Sequence, residues 1–227
     1  MRRARVVVAL MVGVFIVPGK PAAQALLDFV SFDGVDYIRF ADEPGRALTR
    51  ADLGVEFATV ECSIGEDVRA CPYGKDAAAA YMPSGTRMYE VRGFRTDFRL
   101  AAVSKDRIFL YQAWRNPRAK VGADLFDVAG KVRAIDVQRG EPMSEIARRP
   151  TAISSPADSG ALIRMILGGK VRKPSPHTVG EPRYWLTLWL SDGTTLGRAY
   201  FPESGELMGG AVVPADFTMI LEKHLGE

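Results

Sequence analysis

Tyr184-Trp-Leu-Thr-Leu-Trp-Leu190 is apolar on both of its alternating faces, with Thr187 its one small polar residue. A strand with one wet face would alternate, so this run reads as a central strand covered on both sides. Asp192-Gly193 follows, a dipeptide that tolerates the positive φ angles of a tight hairpin turn. Thr195-Leu-Gly-Arg-Ala-Tyr-Phe201 then returns as the partner strand.

A hairpin buried on both faces needs layers to cover it, and the flanking sequence offers helices. Upstream, Ser154-Ser-Pro-Ala-Asp158 is a helix start, with Ser as N-cap and Pro in the first turn. Leu162, Ile163, Met165, Ile166 and Leu167 give its apolar stripe, and Gly168-Gly169 ends it. Before that helix, Val132-Arg-Ala-Ile-Asp-Val-Gln138 alternates as a strand. After the hairpin, 206–213 adds a further strand, and Pro214-Ala-Asp216 opens a terminal helix with Phe217, Ile220, Leu221 and Leu225 on one face. The expected order for 126–227 is β-α-β-β-(β)-α, an α+β layer.

Residues 26–120 carry a different signal. Asp33-Gly34 precedes the short run Asp36-Tyr-Ile-Arg-Phe40. Leu53-Gly-Val-Glu-Phe-Ala-Thr-Val60 and Thr86-Arg-Met-Tyr-Glu-Val91 read as strands, with Pro83-Ser-Gly85 as a turn between them. Arg99-Leu-Ala-Ala-Val103 and Arg107-Ile-Phe-Leu-Tyr-Gln-Ala-Trp114 flank Ser104-Lys-Asp106 as a hairpin. The Ala-rich stretch 75–80 reads as a surface loop. The fold class expected for the whole chain is α+β: a small antiparallel β-rich half at 26–120, then the helix-bearing half. Asn116-Pro117 disfavours helix at the Asn and lies near the boundary.

The first 25 residues stand apart. Met1-Arg-Arg-Ala-Arg5 is a positive start, 6–17 is an apolar run, and Ala23-Gln24-Ala25 is a small-x-small site. This is the layout of a secretory signal peptide, with cleavage expected after Ala25. The apolar run is short for a membrane-spanning helix, which needs about 20 residues; an uncleaved anchor is the alternative, and the only route to a membrane. No Cys lies near the cleavage point, which argues against lipid attachment.

Charge changes once that segment is set aside. The chain has 30 Lys+Arg against 27 Asp+Glu, a formal net charge of +3. Arg2, Arg3, Arg5 and Lys20 all lie in the first 25 residues, so the remainder holds 26 cations against 27 anions. No Lys/Arg cluster stands out in what is left, and a nucleic-acid partner is therefore not expected.

Cys62 and Cys71 are the only cysteines. In an exported protein one close pair is expected to form a disulfide. Redox pairs favour the tighter C-x-x-C spacing, and a zinc site would need His177 or His224, both far away in sequence. Neither a metal nor a cofactor is expected: there is no H-E-x-x-H, no Walker A and no G-x-G-x-x-G. Gly168-Gly-Lys170 is a helix stop, and Pro202-Glu-Ser-Gly-Glu206 lacks the first Gly of a nucleophile elbow. His177 sits in a Pro-rich loop and His224 in the last helical turn, where a cation suits the dipole.

Two sets of residues could hold a ligand. Tyr184 and Trp185 lie on one expected strand and Arg198 and Tyr200 on its hairpin partner, where cross-strand neighbours can touch. An exposed Arg198 there could bind an anionic or sugar-bearing ligand; the alternative is a sheet core with a snorkelling arginine. The first half offers Tyr89, Arg92, Phe94, Arg95 and Arg99, either a partner-facing set or a charged sheet edge that resists aggregation.

Several stretches resemble a group of exported, functionally uncharacterised bacterial proteins, often lipoproteins of Gram-positive species. A short V-x-Y strand comes first in that group, then a Leu-Gly element. Pro83, Gly85, Thr86, Tyr89, Val91, Gly93 and Phe94 follow its Pro-x-Gly-Thr segment, Phe98, Arg99, Leu100 and Ala101 its continuation, and Tyr111 its closing aromatic. Tyr184, Leu186, Leu188, Asp192-Gly-Thr194, Arg198, Tyr200, Leu207, Pro214 and Phe217 follow its ending. The match covers most of 30–114 and 180–221. This chain departs from the group by lacking the lipid-bearing Cys and by carrying Cys62 and Cys71. The resemblance implies export and a globular α+β module, and supplies no catalytic residues.

The functional expectation is a non-enzymatic extracytoplasmic module that binds a protein or cell-envelope partner. One alternative is an envelope-acting hydrolase using carboxylates such as Asp124, Asp127 or Asp136, placed as a facing pair. The other is a structural or sensor-like extracellular domain.

Overall fold

Asp33 and Gly34 both take positive φ, 51° and 72°, and close a hairpin of β1 (Phe29–Phe32) and β2 (Val35–Ile38). The computed structural model that shows this describes residues 27–40, 44–72, 74–140, 149–176 and 181–226. The proposed cleavage site at Ala25 and the loop residue His177 lie outside them. A 3-10 turn at Arg50–Asp52 leads into β3 (Leu53–Thr59), followed by β4 (Cys62–Ser63) and β5 (Ala78–Ala79). Then come β6 (Arg87–Val91), β7 (Arg99–Ser104) and β8 (Arg107–Arg115). These strands make one sheet in the order β3-β6-β7-β8-β2-β1-β5-β4. Only β4 and β5 run parallel; every other pair is antiparallel.

One expectation fails here. The stretch read as a surface loop contains β5, whose Ala78 and Ala79 are buried, as is Ala80. β5 lies between β1 and β4, bonding to both. Alanine has little side chain with which to announce a buried strand, but it lets β5 pack beside the Cys62–Cys71 disulfide in a cluster with Ile64.

The rest of the chain builds the second sheet and the helices. A single turn α1 (Gly122–Leu125) leads to β9 (Val132–Arg139) and β10 (Thr151–Ala152). Next are α2 (Pro156–Gly168), β11 (Lys170–Val171), β12 (Tyr184–Leu190), β13 (Thr195–Phe201), β14 (Glu206–Leu207), β15 (Ala211–Val212) and α3 (Asp216–Leu225). The sheet order is β10-β9-β12-β13-β14-β15-β11. β12 lies between β9 and β13, and six of its seven residues are buried, as a two-sided apolar run requires. The single strand expected over 206–213 is instead a hairpin of β14 and β15, because Gly209 and Gly210 turn the chain with φ of 108° and 97°.

Local chemistry sets the helix ends. Ser155 caps α2 by accepting the Asp158 amide at 3.2 Å, with Pro156 at the first position. Gly226 ends α3 in the left-handed region. The α1 turn passes so close to α2 that a Cβ at Gly122 would sit 1.8 Å from the Ile166 carbonyl oxygen.

The main core lies between β9, β12 and β13 and the helices. It gathers Leu162 and Ile166 of α2, Leu186 and Leu188 of β12, and Phe217 and Leu221 of α3. Phe98, from the loop before β7, belongs to that same cluster. The two sheets therefore share apolar burial as well as a covalent chain.

Candidate functional site

Tyr184 and Tyr200 pair in register, and their rings stack with centroids 6.3 Å apart. Both are buried, and both reach α3: the Tyr184 hydroxyl donates to Glu222 at 3.2 Å, and the Tyr200 hydroxyl bonds Thr218 at 2.6 Å. Burial pushes the Tyr200 phenol above its ordinary range, against the lowering effect of Thr218. Arg198 is 1% exposed. Its guanidinium donates to the carbonyls of Gly197 at 2.6 Å and Ala113 at 2.7 Å and lies 5.7 Å from the Phe126 ring centroid. The condition for an open ligand site at Arg198, exposure among the aromatics, is not met. The residue's side chain is buried, and its charge is met by one carbonyl of its own strand and one of the first sheet.

Arg99 behaves the same way from the other side. It is fully buried and donates to Thr194 Oγ1 and to the Thr195 carbonyl, both at 2.7 Å. Phe94 and Phe98 cover it, with ring centroids 4.4 Å and 5.2 Å from the guanidinium carbon. Asp192 lies 3.7 Å away. Gln112 donates to the same Thr195 carbonyl at 2.8 Å. Arg92 donates to the Leu53 carbonyl and Arg95 to those of Ala123 and Asp124. Tyr89 is half-buried beside Leu48 and Leu53. Of the first-half set, then, Arg99 is buried, while Arg92 and Arg95 are exposed and bond backbone carbonyls.

Arg99 and Arg198 form a reciprocal fastening. One arises in β7 and holds β13; the other arises in β13 and holds β8. A guanidinium stays charged in a protein, and taking it out of water carries a penalty of several kcal/mol that carbonyl and hydroxyl acceptors must offset. Such groups fix relative position more than they add stability. Thr195, whose hydroxyl donates to the Pro44 carbonyl, and Arg46, which bonds the Asp192 carbonyl, extend the fastening along the same seam.

The carboxylates considered for hydrolysis have structural partners. Asp124 accepts the amides of Lys120 and Val121, and these hold its carboxyl below the ordinary range. Burial works to raise the Asp127 carboxyl, but its ion pair with Lys131 at 2.7 Å and the Arg95 amide bring it below the ordinary range. Asp136 accepts the Trp189 indole N–H at 2.7 Å. A carboxyl held ionised is poorly suited to protonating a leaving group at neutral pH. Among the described residues no group of His, Cys, Asp and Glu is arranged to hold a metal.

Among the described residues, two clefts open along the seam. The smaller, about 160 Å³, lies between 44–48, the β8 side chains around Phe109, and Thr194–Thr195. The larger, about 330 Å³, lies where the end of β8 and its exit loop meet the loop after β11. Arg115, Asn116, Pro117, Ala119 and Lys120 line it from one segment, and Val171, Arg172, Lys173 and Pro174 from the other, with Gly209 between. Val171 donates its amide to the Lys120 carbonyl at 2.9 Å, which holds the two segments together. Gly209 is required there, since a Cβ would come 2.4 Å from the Trp114 carbonyl oxygen.

This larger cleft corrects the reading that no cationic cluster exists. Arg-Asn-Pro-Arg-Ala-Lys at 115–120 and Lys-Val-Arg-Lys at 170–173 are unremarkable alone. The β-bridge between Val121 and Lys170 makes them one basic surface. The available signal was the repetition of two short basic stretches at strand ends; their adjacency was not in the sequence. No protein family, curated protein or solved structure matches the chain.

Proposed function

We propose that the chain is an exported, non-enzymatic binding module whose ligand sits in the larger cleft between the two sheets. The observation that carries this reading is a fixed cleft at a seam held by two buried, reciprocally bonded arginines. Pre-organisation of that kind limits the ordering that binding requires, and seams between packed units are common ligand sites. Export is supported by the N-terminal sequence and agrees with the Cys62–Cys71 disulfide. The resemblance to exported bacterial proteins points the same way. The partner is a component of the cell envelope or its surroundings.

Immobilised protein, produced from the full chain with its own N-terminus, is exposed to envelope and culture fractions, and retained material is identified by mass spectrometry. Specific retention is expected, and Pro117→Trp, which adds bulk at the exposed rim, is expected to abolish it. Retention unchanged by Pro117→Trp would remove the cleft from the reading. Saturable turnover of a wall or ester substrate would replace binding with catalysis.

A further inference from the structure

The larger cleft has four cations in its lining and no carboxylate. Two of the cations are matched elsewhere: Arg115 bonds Asp36 at 2.6 Å, and Arg172 lies 3.4 Å from the buried Glu206. Lys120 and Lys173 have no ion pair among the described residues, and the charge of Lys120 also acts on the Asp124 carboxylate. Its floor adds a neutral donor. Asn116 is 5% exposed, and its Oδ1 accepts the Arg118 amide at 3.0 Å. That bond fixes the orientation of the side-chain amide and leaves its Nδ2 group without a hydrogen-bond partner among the described residues.

Two ammonium groups without an ion pair among the described residues, two further guanidinium edges and one side-chain amide group are all donors. Their complement is an acceptor-only group of high charge. The volume of about 330 Å³ is at the small end of ligand pockets, too confined for an extended chain to lie inside. We propose that the cleft binds a compact, soluble, multiply charged anion, bearing carboxylate or phosphate groups, with Lys120 and Lys173 supplying charge and Asn116 Nδ2 supplying orientation. This rests on the cleft being the ligand site.

The test titrates citrate and inorganic phosphate into protein produced from the full chain, followed by calorimetry and by the NMR signals of the Asn116 side chain and the amides of 115–120 and 170–174. Saturable shifts confined to these groups are expected, weakening as salt is raised because the charges are partly exposed. The double variant Lys120→Glu/Lys173→Glu is expected to weaken binding by about tenfold or more, with Lys75→Glu, in an exposed turn elsewhere, leaving it unchanged. Asn116→Asp keeps the acceptor for the Arg118 amide but replaces the donor with a negative charge, and is expected to abolish binding. No saturable shift with either anion would overturn the proposal. So would binding undiminished in the double variant, or attachment to phosphatidylglycerol vesicles without binding of the soluble anions. If Pro117→Trp blocks retention of a neutral ligand that the charge variants still retain, the site stands and the anion assignment falls. If Pro117→Trp has no effect, the site itself falls.

Discussion

The seven-stranded sheet has α2 and α3 packed with it and gathers most of its apolar residues into one large cluster, from Leu162 through Leu186 to Phe217. The eight-stranded sheet has no α-helix among its own described elements. Its buried apolar residues fall into three clusters, around Tyr111, around Leu53, and around the disulfide. A divided core gains less cooperative packing than a continuous one. The first sheet compensates in two places: Cys62–Cys71 closes its far edge, and Phe98 with Arg99 leans on the second sheet. The lesson is that the seam supplies packing to the first sheet, and the cleft proposed to hold a ligand opens along it.

The strongest test of this comparison removes the donated ring. Phe98→Ala is expected to cost about 3–5 kcal/mol, as for other buried aromatics truncated in a core. Chemical denaturation followed by far-ultraviolet circular dichroism and by tryptophan fluorescence should move together in one transition. Two separate transitions would mean that the sheets fold independently. The next effect in size concerns the far edge. Replacing both Cys62 and Cys71 by Ala is expected to cost roughly 2–3 kcal/mol from the entropy of closing a loop of about ten residues. Hydrogen exchange should place the lost protection in β4 and β5 and leave β12 and β13 unchanged; a uniform loss would break the contrast between the sheets.

Within the second sheet, Ser155→Ala removes the α2 cap and is expected to cost about 1 kcal/mol, read from the thermal midpoint. The effect should be carried without loss of the first sheet's hairpins. The smallest effect is electrostatic and ties α2 to α3. Asp158 is bonded by Lys223 and by His224 Nε2, each at 2.8 Å, and these bonds hold its carboxyl below its ordinary value of 3.8. A carboxyl depressed in the folded state contributes above its unfolded pKa and loses that contribution as the pH falls through the folded value. Stability should therefore decline with acid from about pH 4 downward, and Asp158→Asn should flatten that part of the profile. An unchanged acid limb in Asp158→Asn would show that this contact does not join the helices.

Much of the secondary structure was legible because it is written in local chemistry. Asp33-Gly34 and Lys105-Asp106 specify tight turns through positive φ at Asp33, Gly34 and Lys105. Ser155 and Pro156 specify a helix start. The close cysteine pair specified its own disulfide. The misread elements lack such marks. Ala78 and Ala79 have no bulk or branching to distinguish a buried strand from a loop, and a two-residue hairpin such as β14–β15 is shorter than any periodic pattern.

The candidate site was less legible. Arg99 and Arg198 were singled out from sequence for their aromatic neighbours, and both do lie against aromatics. Whether such an arginine faces water or crosses a core depends on what packs over it, which the strand's own sequence does not contain. The sequence by itself determined the α+β composition, the two-sided strand at Tyr184–Leu190, the helix caps and the paired cysteines, because each depends on residues within a few positions of one another. Only the tertiary structure decided that Arg99 and Arg198 are fasteners, and that 115–120 and 170–173 form one cationic cleft around Asn116. The physical reason is that burial and field strength are sums over neighbours in space, and those neighbours are brought together by chain crossings that no local pattern encodes.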